Sequence, residues 1–310
     1  MKQTPSSIFE IPTRAGMQSV CLALAGICQT WLSPADLCAA PAAGLTESLT
    51  FFAGFDKGVN ATFARGDALI YTAKDITAPR VGTPGLPADG SVSIAKGEGV
   101  HGDALRFHKK SQAIVFYKAA QNMDYRASGW NGTVSLWLKL SPDEDLEPGY
   151  CDPLQITPRD WNDACFFVDF SKDEKPRHFR LGVFSDSKSW NPEGLKWEAF
   201  PEAQRPMVTV TQPPFRRDRW THVAFTFENF NTAKKDASAW FYLDGKLQGE
   251  LKGKSQTFTW DIDKTLIMFG IYYTGLFDEL AVFNRRLSAS EVESIRGLRR
   301  GVGELLKKAD

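Results

Sequence analysis

Carboxylates are the first residues in this chain able to do chemistry. Asp278 and Glu279 sit in the apolar stretch 276–283, and a denser group, Asp143-Glu144-Asp145-Leu146-Glu147, follows Ser141-Pro142. Two carboxylates on one strand face can act as nucleophile and general acid toward a glycosidic bond. Successive strand residues point to opposite faces, so in a regular strand Asp278 and Glu279 do not serve one site. The 143–147 group reads as a solvated turn. The four histidines, His101, His108, His178 and His222, lack zinc-ligand spacing. No G-x-S-x-G elbow, H-E-x-x-H pair or glycine-rich phosphate loop occurs. A hydrolase would have to draw on loop acids such as Asp143, Glu144, Asp160 and Asp163. No catalytic residue is assigned, and a non-catalytic role is expected.

Aromatic residues offer a second chemistry. Tyr150, Trp161, Trp190 and Trp197 lie in two long, turn-rich stretches, 141–162 and 185–206. Connections of that length are usually functional or disordered. An exposed ring can stack on the apolar face of a sugar, with Asp186, Lys188 and Glu193 as polar neighbours. The alternative is that each Trp plugs its loop onto the body of the protein. Trp137, Trp220 and Trp240 fall inside apolar runs and are expected to pack.

The elements that must position these residues are strands. From Leu45 onward β-branched and aromatic residues alternate with polar ones, bounded by Gly, Pro, Asn and Asp. Strands are expected at 49–55, 68–72, 91–94, 104–108, 113–117, 133–140, 164–170, 178–184 and 207–211. Five more follow at 220–228, 238–243, 246–251, 265–269 and 277–283. Asp244-Gly245 marks a type I′ hairpin. The proline-rich stretch 76–90 reads as an ordered loop or a flap, and 152–161 as strand plus loop. No helical period precedes Ser288, where Ser288-Ala-Ser-Glu291 forms a capping box. The fold class is therefore all-β, an antiparallel two-sheet sandwich or jelly roll with a short C-terminal helix.

Composition excludes some partners. The 310 residues carry 37 basic and 37 acidic side chains, so bulk electrostatics favour neither nucleic acid nor an anionic membrane. Residues 1–42 have the order of a secretory signal peptide: a polar start, the apolar run 20–28, then small residues up to a cleavage site after Ala40 or Ala42. The apolar run is too short to span a bilayer. Export, whether periplasmic, cell-surface or secreted, is the expected localisation. Cys21, Cys28 and Cys38 fall in the leader, leaving Cys151 and Cys165 as an expected disulfide in the mature chain. Residues 45–297 would form one domain, followed by a basic tail, 298–310.

Three stretches carry a resemblance. Trp220-Thr-His-Val is followed by Tyr242-Leu-Asp-Gly245, and then by Phe277-Asp-Glu-Leu-Ala-Val-Phe-Asn-Arg-Arg-Leu-Ser-Ala-Ser-Glu291. Leu49–Asp56 and Gly102-Asp-Ala-Leu-Arg-Phe107 fit the same pattern. Together they resemble the LamG-like jelly rolls of the concanavalin A-like lectin/glucanase superfamily. The E-x-D-x-x-E pattern of that superfamily's glucanases is missing here. The resemblance implies a possible structural calcium, with Asp278 as carboxylate ligand and Asp56 and Gly102 completing the shell. Otherwise Asp278 caps local backbone or pairs with an arginine such as Arg285. Three roles follow: a carbohydrate- or glycan-binding module first, then a structural or protein-interaction module, then a glycoside hydrolase with a divergent site.

Overall fold

The computed structural model of the chain describes residues 44–77 and 79–307, so the leader, its cleavage site and its three cysteines lie outside the described residues. In chain order the strands begin β1 (Leu49–Ala53), β2 (Phe63–Ala64), β3 (Tyr71–Ala73), β4 (Thr83–Pro84), β5 (Val92–Ala95) and β6 (Ala104–Phe107). The middle strands are β7 (Ile114–Lys118), β8 (Trp130–Lys139), β9 (Cys151–Thr157), β10 (Cys165–Phe170), β11 (Phe179–Phe184) and β12 (Met207–Val210). The last are β13 (Thr221–Phe230), β14 (Ala237–Leu243), β15 (Lys246–Lys254), β16 (Leu266–Ile271) and β17 (Gly275–Phe283).

They form two sheets, in which each pairing is antiparallel. The first runs β15-β14-β13-β8-β17-β1-β2, with β6 also on β17 and β5 on β6. The second runs β12-β11-β10-β9-β16-β7-β3-β4. The period-two pattern explains the stacking. Val223, Phe225 and Phe227 of β13 face the shared core, together with Phe166 and Val168 of β10 and Ile267 and Phe269 of β16. Trp130 packs edge-on against Phe227 at 4.7 Å, and Phe166 stacks on Phe258 at 4.8 Å. Each such ring contributes about 1.5–3 kcal/mol by leaving water.

The two outer faces differ. On the first sheet, Phe52, Trp240, Ala281 and Phe283 are covered by Leu287, by Val292 and Ile295 of the C-terminal helix (Ala289–Arg296), and by Val302 and Leu305. The helix starts on the expected box: the Ser288 hydroxyl accepts from the Glu291 N–H, and the Glu291 carboxylate from the Ser288 N–H at 2.9 Å. The Asp244-Gly245 turn has both residues at positive φ, 49° and 75°, as a type I′ hairpin requires. The outer face of the second sheet is covered only in part, by Tyr71, Ile76 and Tyr272 on one side and by Trp190, Trp197 and Met207 on the other.

Strand β9 falls where the sequence reads strand plus loop, at 152–161, inside the long stretch 141–162. It is a central strand, between β10 and β16. Pro153 has no N–H for the ladder, and a bulge absorbs it: the β9–β10 register passes from Leu154↔Val168 to Cys151↔Phe170. Of its two partners, β10 follows directly in the chain and β16 lies far along it.

The expected disulfide is not formed. Cys151 and Cys165 are both free and buried. Cys151 pairs across the ladder with Phe170, at the opposite end of β10 from Cys165. Cys151 packs into the core between the sheets, whereas Cys165 faces outward with Phe167 and Phe184. No bridge can join side chains on opposite faces and at opposite ends of a strand pair. Burial pushes both thiols well above their ordinary pKa, which makes them poor nucleophiles.

Candidate functional site

A cleft of about 990 Å³ opens across the outer face of the second sheet. Its floor comes from outward-facing positions of three adjacent strands: Asp152 and Gln155 on β9, Phe167 and Asp169 on β10, and Arg180 on β11. The bulge at Pro153 sets the direction of Asp152. Gly182, beside Arg180, makes room for the floor's one ring, because a Cβ there would lie 2.2 Å from Phe167. Aromatic side chains form the walls: Tyr150, Trp161, Trp197 and Tyr272. Tyr150 and Trp161 are 41% and 40% exposed, enough for a flat ligand to reach their faces.

Asp169 and Arg180 form a forked ion pair, with Arg180 Nε donating to Asp169 Oδ1 at 2.8 Å and Nη2 to Oδ2. Burial pushes Asp169 up and Arg180 pulls it back, while Arg180 itself is held charged. Asp152 has no such arginine fork. Burial, and then the neighbouring Asp169 charge, push its carboxyl well above the usual carboxylate range. The floor thus holds a forked ion pair beside a carboxyl whose neutral form burial and Asp169 favour. Gln155 is 1% exposed, and neither its Oε1 nor its Nε2 has a hydrogen-bond partner.

Three of the four aromatics singled out from sequence meet in this cleft. Trp161 packs edge-on against Trp197 at 5.3 Å, and Arg205 stacks over Trp197 at 4.3 Å. Arg180 lies 5.1 Å from the Tyr150 ring centre. Trp190 is the exception. It plugs its loop onto Phe184 at 4.9 Å and donates to the Asn162 carbonyl at 2.8 Å. Trp137, Trp220 and Trp240 pack as expected, Trp137 against His222 at 4.9 Å. Of the loop acids, Asp160 lines the cleft. Asp163 pairs with Arg159, Asp143 accepts from the Arg177 N–H, and Glu144 pairs with Arg217. Sequence reasoning missed Asp152, Gln155, Asp169 and Arg180. The available signal was polar residues at alternate positions of otherwise apolar strands.

The acids Asp278 and Glu279 lie on the other sheet. Asp278 accepts from the N–H groups of Val100 at 2.9 Å and Glu279 at 2.7 Å, and Arg285 pairs with Glu291 instead. Glu279 sits at φ 52°, at an irregularity of β17, and accepts from the Val302 N–H at 2.7 Å. The two carboxylates thus serve different backbone targets. Burial, with the Glu279 charge second, pushes Asp278 up to about 9. Burial, with Asp56 adding to it, pushes Glu279 up to about 8. Among the described residues, no ion pair compensates either acid. Asp56 accepts from the Asp103 N–H at 2.7 Å, and a Cβ on Gly102 would lie 2.0 Å from Asp56 Oδ1. A Cβ on Gly99, in the same loop, would lie 2.7 Å from Asp278 Oδ2. Asp56 and Asp278 therefore both accept backbone N–H groups from the one loop 99–103, Asp278 buried and Asp56 exposed.

Comparison with known proteins agrees with this architecture. A laminin G-type family model, described as Concanavalin A-like lectin/glucanases superfamily, matches residues 117–293. A search of curated proteins finds no match. Among solved structures, the chain is similar to domain 4 of AbnA, a GH43 extracellular arabinanase from Geobacillus stearothermophilus, in complex with arabinotriose. The TM-score is 0.50 at 17% identity, covering 80% of this chain and 97% of that one. It is also similar to the receptor binding domain of botulinum neurotoxin C/D mosaic serotype, with a TM-score of 0.51 at 14% identity. That match covers 81% of this chain and 51% of the toxin chain, so the chain spans about half the toxin domain's length. At these identities the likeness is one of fold. With the family match extending over more than half of its residues, the chain belongs to the concanavalin A-like lectin/glucanase superfamily.

Proposed function

We propose that this protein is an exported, non-catalytic binding module that takes a glycan in the cleft on its second sheet. The observation that carries this reading is the cleft itself: about 990 Å³, with aromatic walls and a polar floor. Exposed rings offer apolar faces to stack on the C–H face of a sugar, and the floor supplies hydrogen-bonding groups for its hydroxyls. The likeness to an arabinanase domain bound to arabinotriose supports the fold as a sugar-binding scaffold. Export rests on the leader-like residues 1–42. A structural calcium would be held by Asp278 and Asp56 with the Gly102 carbonyl, neutralising the buried Asp278 carboxyl.

A glycan array probed with the mature chain, with and without chelator, tests the reading. Binding to a defined glycan set that is lost in a Trp161→Ala, Tyr150→Ala double variant is expected. An array that stays blank, or binding unchanged in the double variant, would count against the cleft.

A further inference from the structure

The chemistry of the cleft floor narrows the ligand class, and this step rests on the cleft being the glycan site. We infer that Asp152 and Gln155, paired on the outer face of β9, read the hydroxyls of a neutral sugar and that the cleft excludes acidic glycans.

The guanidinium groups of the cleft are already committed. Arg180 is forked onto Asp169. Arg80 donates to the carbonyls of Ile76 at 2.8 Å, Arg159 at 2.7 Å and Pro158 at 3.5 Å. Lys110 donates to the Pro148 carbonyl at 2.8 Å, and Lys172 pairs with Asp173 at 3.3 Å. A uronate or sulfate seeking a two-pronged guanidinium partner would have to break one of the arginine contacts, and it would face the acidic wall residues Asp160 and Glu198. Lys110 and Lys172 offer only point charges at the rim.

The uncommitted groups on the floor belong to Gln155 and Asp152. Gln155 holds one acceptor and two donors, none of them used, at 1% exposure. Leaving such a carboxamide unpaired in a folded interior is unfavourable, so a bare structural role explains it poorly. Asp152, the more open of the two, lacks a guanidinium fork, and burial and Asp169 push its carboxyl toward the neutral form, which offers one O–H and one carbonyl. A vicinal diol supplies the matching donors and acceptors. Gln155 turns its carboxamide toward the ligand when the cleft is filled.

Calorimetric titration with arabinohexaose, cellohexaose and the galacturonate hexamer tests this, using wild type, Asp152→Asn, Asp152→Ala and Gln155→Met. Wild type should bind a neutral hexamer and not the galacturonate. Asp152→Asn, a neutral isostere, should stay within about threefold, while Asp152→Ala and Gln155→Met lose about tenfold or more. Gln155→Met should also melt higher than wild type, because it removes unpaired polar atoms without removing bulk. The Gln155 side-chain amide resonances should shift on titration with the neutral hexamer. Preference for galacturonate, or a Gln155→Met variant that melts lower yet binds normally, would overturn the inference and leave the cleft reading standing. No binding to any of the three probes would overturn both.

Discussion

Asp169 on β10 and Arg180 on β11 face each other across one step of the second sheet and form a two-pronged ion pair on the floor of the cleft. Their side chains are only 5% and 11% exposed, so neither charge is well solvated alone. Removing one partner strands the other. Arg180→Met should cost about 3–5 kcal/mol, and an Asp169→Leu, Arg180→Met double variant much less. Urea unfolding of the three proteins checks this. Equal destabilisation of single and double variants would show that the pair does not act as a unit.

Gly182 is required by the ring above it. A methyl group there would lie 2.2 Å from Phe167, which stacks on Phe184 at 5.4 Å and packs edge-on to Trp161 at 6.3 Å. Gly182→Ala should destabilise by about 1–3 kcal/mol, since the ring must leave its seat. It should also weaken ligand binding, because Trp161 loses its support. Thermal unfolding and titration of the same variant would separate the two effects.

His222 gives the fold an acid-sensitive point remote from the cleft. It is buried, shares a 2.8 Å hydrogen bond with Ser135 and leaves Nδ1 unpartnered. Burial, with Arg296 nearby, pushes its pKa down to about 3. The folded state keeps the ring neutral, whereas the unfolded chain protonates below about 6.5. Stability from this group is therefore full above that value and falls as pH drops toward 3. Between pH 7 and pH 5 wild type should lose about 2 kcal/mol more than His222→Gln. Urea midpoints at the two pH values measure the difference, and equal losses would remove His222 from the account.

Calcium, if bound as proposed, stabilises the folded state by mass action. At 100 times its dissociation constant the ion is worth about 2.7 kcal/mol, so chelation should lower the melting temperature by roughly 5–10 °C. Asp278→Asn should melt at the same temperature with and without chelator. An unchanged wild-type melting curve after chelation would remove calcium from the account.

Much of the architecture was legible in the chain. The Asp244-Gly245 turn, the Ser288–Glu291 cap and the alternation around Val223, Phe225 and Phe227 each follow from local rules, and each is seen. Tyr150, Trp161 and Trp197 stand out in the sequence because long loops rich in aromatics tend to carry function, and all three line the cleft. The floor was not found. Asp152 and Gln155 sit on a strand interrupted by Pro153, and Asp169 finds Arg180 only through the β10–β11 register. The disulfide expectation failed for a related reason. Spacing along the chain does not say which face of a sheet a cysteine takes, and Cys151 and Cys165 take opposite ones.

The central claim is that the outer face of the second sheet is the binding face. Isothermal titration of the wild-type chain with a neutral hexasaccharide, repeated on Trp161→Ala and on Trp240→Phe, tests it most directly. Trp161 stands on the cleft wall, whereas Trp240 lies on the covered face of the other sheet, stacked with Arg286 at 4.0 Å. The account predicts saturable heat for wild type and Trp240→Phe, with about tenfold or greater loss for Trp161→Ala. Absence of heat in wild type, or unchanged affinity in Trp161→Ala, would contradict it.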